Sequence, residues 1–208
     1  DFRPNQPRMC GEFWCGWFDH WYDNHHTREP EELAGLFNDM LEAGASLNFY
    51  MFHGGTNFGF MNGANYYEHF DPTITSYDYN ALLSEAGDIT PAYLAVRKIV
   101  EKFNGEELPP LTVKNSEKKA YGKVKLNKVA GLFDNLSNLA EKKHNDVPLC
   151  MEKNGQGYGY IAYTTILNRD YVDTTLSFES LGDRAQIYIN YDLAGIVYIN
   201  DEKLELKI

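Results

Sequence analysis

The sequence predicts an α/β segment followed by an all-β segment. Three observations carry that expectation. Residues 8–52 read as strand, loop, helix, short turn and strand, the order of a βαβ unit. Composition then breaks over Asn104–Lys119, a polar stretch with a Pro109–Pro110 pair. Beyond the break come five alternating or β-rich runs separated by Gly, Asn and Asp.

The elements follow in order. Arg8–Phe13 reads as a short buried strand that opens into an aromatic, histidine-rich loop over 14–28. A helix follows, with Thr27 or Glu29 as cap, Pro30 near the first turn and acids filling that turn. Leu33, Leu36, Phe37, Met40 and Leu41 stand at helical spacing, and Gly44 marks the stop. Ser46–Phe52 is a nearly continuous apolar run, as buried parallel strands are. Residues 53–90 form a long loop rich in Tyr, Phe and Asn, of the kind that is usually functional. Pro91–Phe103 is an amphipathic helix capped by Thr90. The β-rich runs are "AYGKVKL", "GYGYIAYTTIL", "TLSFES", "AQIYINY" and "AGIVYIN". The domain boundaries expected are 1–104, a linker over 105–118, and an incomplete β-rich domain over 119–208.

The chain has 208 residues and a net charge of −11, which suits a neutral substrate and argues against nucleic acid, whose binding rests on basic contacts. No apolar run nears the roughly 18 residues of a membrane span. Three cysteines are too few for a disulfide framework and point to a reducing, cytoplasmic setting. Fourteen per cent of residues are aromatic, enough to supply platforms for sugar rings as well as core.

Several constellations compete with plainer readings. Glu12, in "CGEFWCGWFDHW", sits where a strand gives way to a loop, the edge at which βα folds place active-site groups. It reads either as a catalytic carboxylate in an aromatic cleft or as a surface charge at a strand end. Asp19, His20, Asp23, His25 and His26 offer metal-ligand chemistry, but their spacing fits hydrogen bonding within a loop better. "HGGTNFG" follows a strand yet lacks the Lys and Ser/Thr ending of a phosphate loop, so Gly54 and Gly55 read as turn residues. Asn135-Leu136-Ser137 is a glycosylation triplet by pattern only. Cys10 and Cys15 read as small core or cleft residues, with no histidine partner to make a thiolate.

"EFWCGWFDHW", "GASLNFYMFHGGTNFGFMNGAN", "TSYDYNALLSEAGD" and "YLAVRKIVEKF" together resemble the β-galactosidases of glycoside hydrolase family 35, in order and spacing. "AYGKVKL", "GQGYGYIAYTT" and "DRAQIYIN" resemble that family's first β-rich domain, so the likeness spans nearly the whole chain. The resemblance implies the last two βα units of a (β/α)8 TIM barrel, followed by a partial β-sandwich or jelly-roll-like domain. It also implies a retaining hydrolase that releases terminal β-linked galactose and needs no cofactor. On the family's motif Glu12 falls on the nucleophile, Trp17 on the pocket tryptophan, and Tyr50 and Tyr79 on two tyrosines reaching the galactose pocket. Tyr22, Asn80 and Leu82 depart from the family's Gly, Asp and Pro, all in loops near the pocket. The family's "NEYG"-type acid/base motif is not in this sequence, so a fragment inactive on its own is expected. The rival expectation is a non-catalytic carbohydrate-binding protein, which the sequence upstream of Asp1 would decide. Relatives are also secreted or lysosomal.

Overall fold

The computed structural model describes residues 3–208. It divides into two compact units, one running to Ala64 and again from Asp71 to Lys119, the other combining Asn65–Phe70 with Ala120–Ile208.

In the first unit, strand β1 (Met9–Trp14) pairs in parallel with β2 (Ser46–Tyr50), and helix α1 (Pro30–Glu42) is the crossover between them. Pro30 occupies the first helical turn, where its missing N–H costs nothing. Glu29 is the N-cap but makes no side-chain cap bond, so the helix starts on Pro30 and the acids Glu31 and Glu32. Ala43 is the C-cap, and Gly44 turns the chain out at φ 72°. Helix α2 (Pro91–Asn104) is better finished. Thr90 Oγ1 accepts from Tyr93 N at 3.2 Å, and Gly105 closes the far end at φ 73°.

The core lies between the two helices and one face of the strand pair. Phe13, Cys15, Leu33, Phe37, Leu82, Ala92 and Val96 are buried there, with Cys10, Leu47 and Phe49 packed alongside. Phe13 meets Phe49 edge-on at 5.4 Å, and Phe37 closes the group at 5.1 Å from Phe49. Leu36 departs from expectation. It falls at the margin of the stripe set by Leu33, Phe37, Met40 and Leu41 and is 42% exposed. The strands depart too. Phe13 is the only fully buried residue on β1, and β2 has none, because helices cover one face of the pair and leave the other open.

That open face is shaped by a bulge. Cys10 pairs with Leu47 and Phe13 with Phe49, so Gly11 and Glu12 together oppose Asn48. The extra residue lets Cys10 and Phe13 both face the core although three positions separate them. Glu12 and Trp14 are left on the opposite face, beside Asn48 and Tyr50. Asn48 Nδ2 donates to Gly11 O at 3.1 Å and pins the bulge.

The long 53–90 segment is ordered by contacts within itself and with the loop after β1, where Ile74 N donates to Asp19 O and Trp21 N to Pro72 O. It contains two three-residue strands, β3 (Ala64–Tyr66) and β4 (Phe70–Pro72), which pair with each other. Residues 105–119 belong to the first unit. Asn115 exchanges two hydrogen bonds with the backbone of Ile89, and both Ser116 N and Lys118 Nζ donate to the Asp88 carboxylate.

In the second unit, β6 (Arg184–Ile189) and β7 (Asp192–Tyr198) form an antiparallel hairpin, and β5 (Thr175–Ser177) pairs with β8 (Glu205–Lys207). The hairpin turns through Asn190 and Tyr191, both at positive φ, as a two-residue turn matched to strand twist requires. The expected strands over 120–126 and 157–167 do not form. Both runs carry β-favouring residues, yet Val124, Leu126 and Ile166 are exposed and neither run pairs with another among the described residues. An alternating pattern makes a strand only where a ladder partner is present.

Candidate active site

The open face of β1–β2 and two loops gather the residues singled out from the sequence. Glu12 sits at the bulge with its Oε2 accepting from Trp14 Nε1 at 3.0 Å. The strand ladder continues one step past Trp14, where Cys15 N donates to Tyr50 O at 3.1 Å, and the chain then turns at Gly16. Trp17 follows that turn, 5.3 Å from Trp14 and 6.1 Å from Tyr79 between ring centres. Tyr50, level with Trp14 on the neighbouring strand, stands edge-on to Tyr79 at 5.5 Å. Glu12, Trp17, Tyr50 and Tyr79 therefore share one cluster.

Sequence reasoning passed over two members of it, Tyr77 and Phe18. Tyr77 stacks between Phe18 at 5.7 Å and Tyr79 at 5.4 Å, and its hydroxyl lies 3.3 Å from that of Tyr50. Phe18 stacks on Trp17 at 4.6 Å. Trp14 orients the Glu12 carboxylate. No local pattern in "SYDY" marks Tyr77, because stacking between two loops brings it to the cluster.

Close packing fixes the tyrosine segment. A Cβ at Gly16 would lie 2.5 Å from Tyr79 O and 2.8 Å from Asn80 Cβ. One at Gly54 would sink into Tyr77 O and lie 3.0 Å from that residue's carbonyl carbon and ring. The glycine expected only to permit a turn is therefore a point of backbone contact. Tyr79 is 2% exposed and holds φ 61°, a conformation bulky residues rarely adopt. Asn80 N donates to Asp78 Oδ1 at 3.0 Å and closes the turn around it. On the other side, Glu85 accepts from Ser76 Oγ at 2.6 Å and Thr56 Oγ1 at 2.5 Å, bonds that hold its carboxyl below the usual range, Ser76 contributing most.

Electrostatics fit the tyrosines for donating. Burial pushes the Tyr77 phenol above its ordinary range, with the Tyr50 hydroxyl and the charges of Tyr79 and Glu12 adding to the shift. Tyr79 is pushed up to about 12 by burial, then by Tyr50, Cys15 and Glu12. Both stay protonated near neutrality, within electrostatic reach of Glu12, and can only offer or relay hydrogen bonds. Cys15 is wholly buried, with its thiol pushed up to about 12 by that burial against the opposing charge of Arg28. Its Sγ donates to Met51 O at 3.3 Å, so it is a core residue and not a nucleophile.

The acid and imidazole groups of the 19–26 loop bond to one another. Asp19 accepts from His26 N and meets both His25 Nδ1 and His26 Nδ1 at 2.7 Å. Asp23 meets His20 Nδ1 at 3.0 Å. No three His, Cys, Asp or Glu side chains form a metal-holding group among the described residues. The three departures from the family pattern are accommodated. Tyr22 is 98% exposed at φ 71°, Asn80 Oδ1 accepts from Arg28 N at 2.6 Å, and Leu82 is buried in the core.

A family model described as glycosyl hydrolases family 35 matches residues 1–103, and one described as the first all-beta domain of beta-galactosidase matches residues 148–208. A beta-galactosidase of Xanthomonas manihotis is 38% identical across the whole chain, which covers 34% of that protein. A beta-galactosidase of Bos taurus is 41% identical over 94% of the chain and 30% of its own length. Beta-galactosidase-1-like protein 2 of Homo sapiens is 35% identical over 98% of the chain and 32% of its own length. The chain thus spans about a third of the length of these curated relatives. With both models matching in order and the relatives aligning from end to end of the chain, this protein belongs to glycosyl hydrolase family 35.

Proposed function

We propose that this chain supplies the nucleophile half of a retaining β-galactosidase site, with Glu12 as the attacking carboxylate. The observation that carries the reading is the placement of Glu12 at a strand-edge bulge, one oxygen bound by Trp14 Nε1 and the side chain facing neutral tyrosines. A retaining glycosidase uses two carboxyls about 5–5.5 Å apart. Glu12 attacks the anomeric carbon and forms a covalent galactosyl ester. A second carboxylic acid protonates the leaving oxygen and then deprotonates the water that releases galactose. That acid/base lies in the part of the relatives' length that this chain does not span. The indole N–H of Trp14 is a donor only, so it fixes Glu12 Oε2 and leaves Oε1 for attack. Tyr50, Tyr77 and Tyr79 donate toward the carboxylate or the sugar, and Trp17 lies against the apolar face of galactose. The barrel reading assigns β1–α1 and β2–α2 to its seventh and eighth units and the second unit to a partial jelly roll. The three unpaired cysteines favour a cytoplasmic enzyme. No helix among the described residues is long and apolar enough to cross a membrane.

The test is Glu12→Gln in the protein extended to the length of its relatives, assayed on a nitrophenyl β-galactoside. Turnover is expected to fall far below about a tenth of wild type, with azide or formate restoring it only when residue 12 is shortened. Retention of more than about a tenth refutes the nucleophile assignment. The 208-residue chain alone is expected to show no turnover, since one carboxyl cannot perform both steps.

A further inference from the structure

We propose that His25 is a positioning residue for Tyr79, acting as an imidazolium that spans the carboxylates of Asp19 and Asp78 and so ties the 19–26 loop to the tyrosine segment. This rests on the reading that Tyr79 belongs to the galactoside site. The argument is geometric. His25 Nδ1 lies 2.7 Å from Asp19 Oδ2, and its other nitrogen, Nε2, lies 3.9 Å from Asp78 Oδ1. A neutral ring that donates from Nδ1 presents a lone pair at Nε2, which a carboxylate repels. Only the charged ring, a donor at both nitrogens, suits both neighbours.

The other groups around the bridge are accounted for. His26 occupies the second oxygen of Asp19 through both its ring and its backbone N–H, and His20 is taken by Asp23. Asp19 is thereby fixed, and its backbone oxygen also accepts from Ile74 N, ahead of the tyrosines. On the far side, the same Asp78 Oδ1 that faces His25 accepts from Asn80 N and closes the turn that holds Tyr79 at positive φ. A pull on Asp78 is therefore a pull on the turn around Tyr79. The Asp19 hydrogen bond raises the His25 pKa against its partial burial, and the charges of Asp19 and Asp78 add to the rise. The link is thus closed at mildly acidic pH and opens as pH rises through the His25 midpoint.

The experiment is an NMR titration of the 208-residue chain. The His25 midpoint is expected above about 6.5, and the Tyr79 ring signals are expected to shift with that same midpoint. Asp78→Asn should lower the His25 midpoint and uncouple Tyr79 from it. Should that variant lose its native spectrum, His25→Gln reads the same coupling, since Tyr79 must then lose its pH dependence near neutrality. An unchanged His25 midpoint in a folded Asp78→Asn, or a Tyr79 signal that ignores His25 in wild type, overturns the proposal. In the extended enzyme, KM for a nitrophenyl galactoside should rise roughly two- to fivefold across the midpoint, the range an exposed ion pair can supply, and His25→Gln should flatten that step. A step that survives His25→Gln also overturns it. The two readings fail separately. Loss of the NMR coupling refutes this proposal whatever Glu12 does, whereas an active Glu12→Gln enzyme refutes the site assignment and leaves the coupling standing.

Discussion

Gly54→Ala isolates the contact between two loops that seats the tyrosines. Gly54 does not hold a left-handed φ, so its need for hydrogen as a side chain is one of space. The added methyl would overlap Tyr77 O and stand 3.0 Å from the Tyr77 carbonyl carbon, where carbon atoms rest about 3.5–4.0 Å apart. The segment bearing Tyr77 must retreat by about 1.5 Å before the methyl clears the Tyr77 oxygen. Overpacking of this kind costs about 1–3 kcal/mol, and the reduced freedom of the unfolded chain returns about 0.4–1 kcal/mol. The net is a loss of about 1–2 kcal/mol. With a urea m value of about 1.5 kcal/mol/M, the unfolding midpoint falls by about 1 M. All three tryptophans lie within residues 14–21, so indole fluorescence reports on this loop region. Gly35→Ala is the opposing control. It lies inside α1 with open space where a methyl would go, and the exchange should stabilise by about 0.5–1 kcal/mol. A Gly54→Ala midpoint equal to or above wild type, while Gly35→Ala rises as expected, would refute the claim that this contact seats Tyr77.

Two further outcomes test the frame around the site. Thr90→Ala removes the N-cap of α2 and a hydroxyl that also donates to Leu82 O at 2.8 Å, and should cost about 1–2 kcal/mol in urea unfolding, with Thr90→Ser close to wild type; equal midpoints for Ala and Thr would remove the cap from the account. Glu85 has a folded-state pKa below its unfolded value, so its contribution is present above about pH 4.5 and is lost as pH falls through the folded value. The stability gap between wild type and Glu85→Gln should therefore be full at about pH 6 and shrink as pH falls below about 4.5, and a gap that does not change with pH would show that the bonds to Ser76 and Thr56 do not depend on its charge.

Helices α1 and α2 and strands β1 and β2 were legible because each is set by neighbours in sequence, whereas β3 and β4 lie in a stretch that reads as loop. Pro30, Gly44 and Thr90 punctuate the helices, and Ser46–Tyr50 is apolar enough to read as a strand. Glu12, Trp17, Tyr50 and Tyr79 were reached through resemblance, since nothing in their local spacing brings residues 12, 17, 50 and 79 together. Tyr77 and Phe18 escaped because their role arises from stacking across two loops. The need for Gly54 was misread as a turn preference, because the atom it must admit belongs to a residue 23 positions away. In the second unit, Ala120–Leu126 shows how far alternation misleads. The pattern states which face a strand would bury, but only a pairing partner makes it a strand.

The bulge in β1 separates two kinds of heritable change. Substitution at Phe13 alters the core and, on the proposed assignment, substitution at Glu12 alters the chemistry, each confined to its own face. Loss of Gly11 would do neither in the usual sense. Deleting it would leave Cys10 and Phe13 two positions apart, in step with Leu47 and Phe49, so every side chain would keep its face in a straighter strand. What would change is the aim of Glu12, which the bulge's added twist sets. A single-codon deletion here should be nearly invisible to folding and severe for the reaction, so a survey limited to substitutions would miss the position at which fold and chemistry come apart most cleanly.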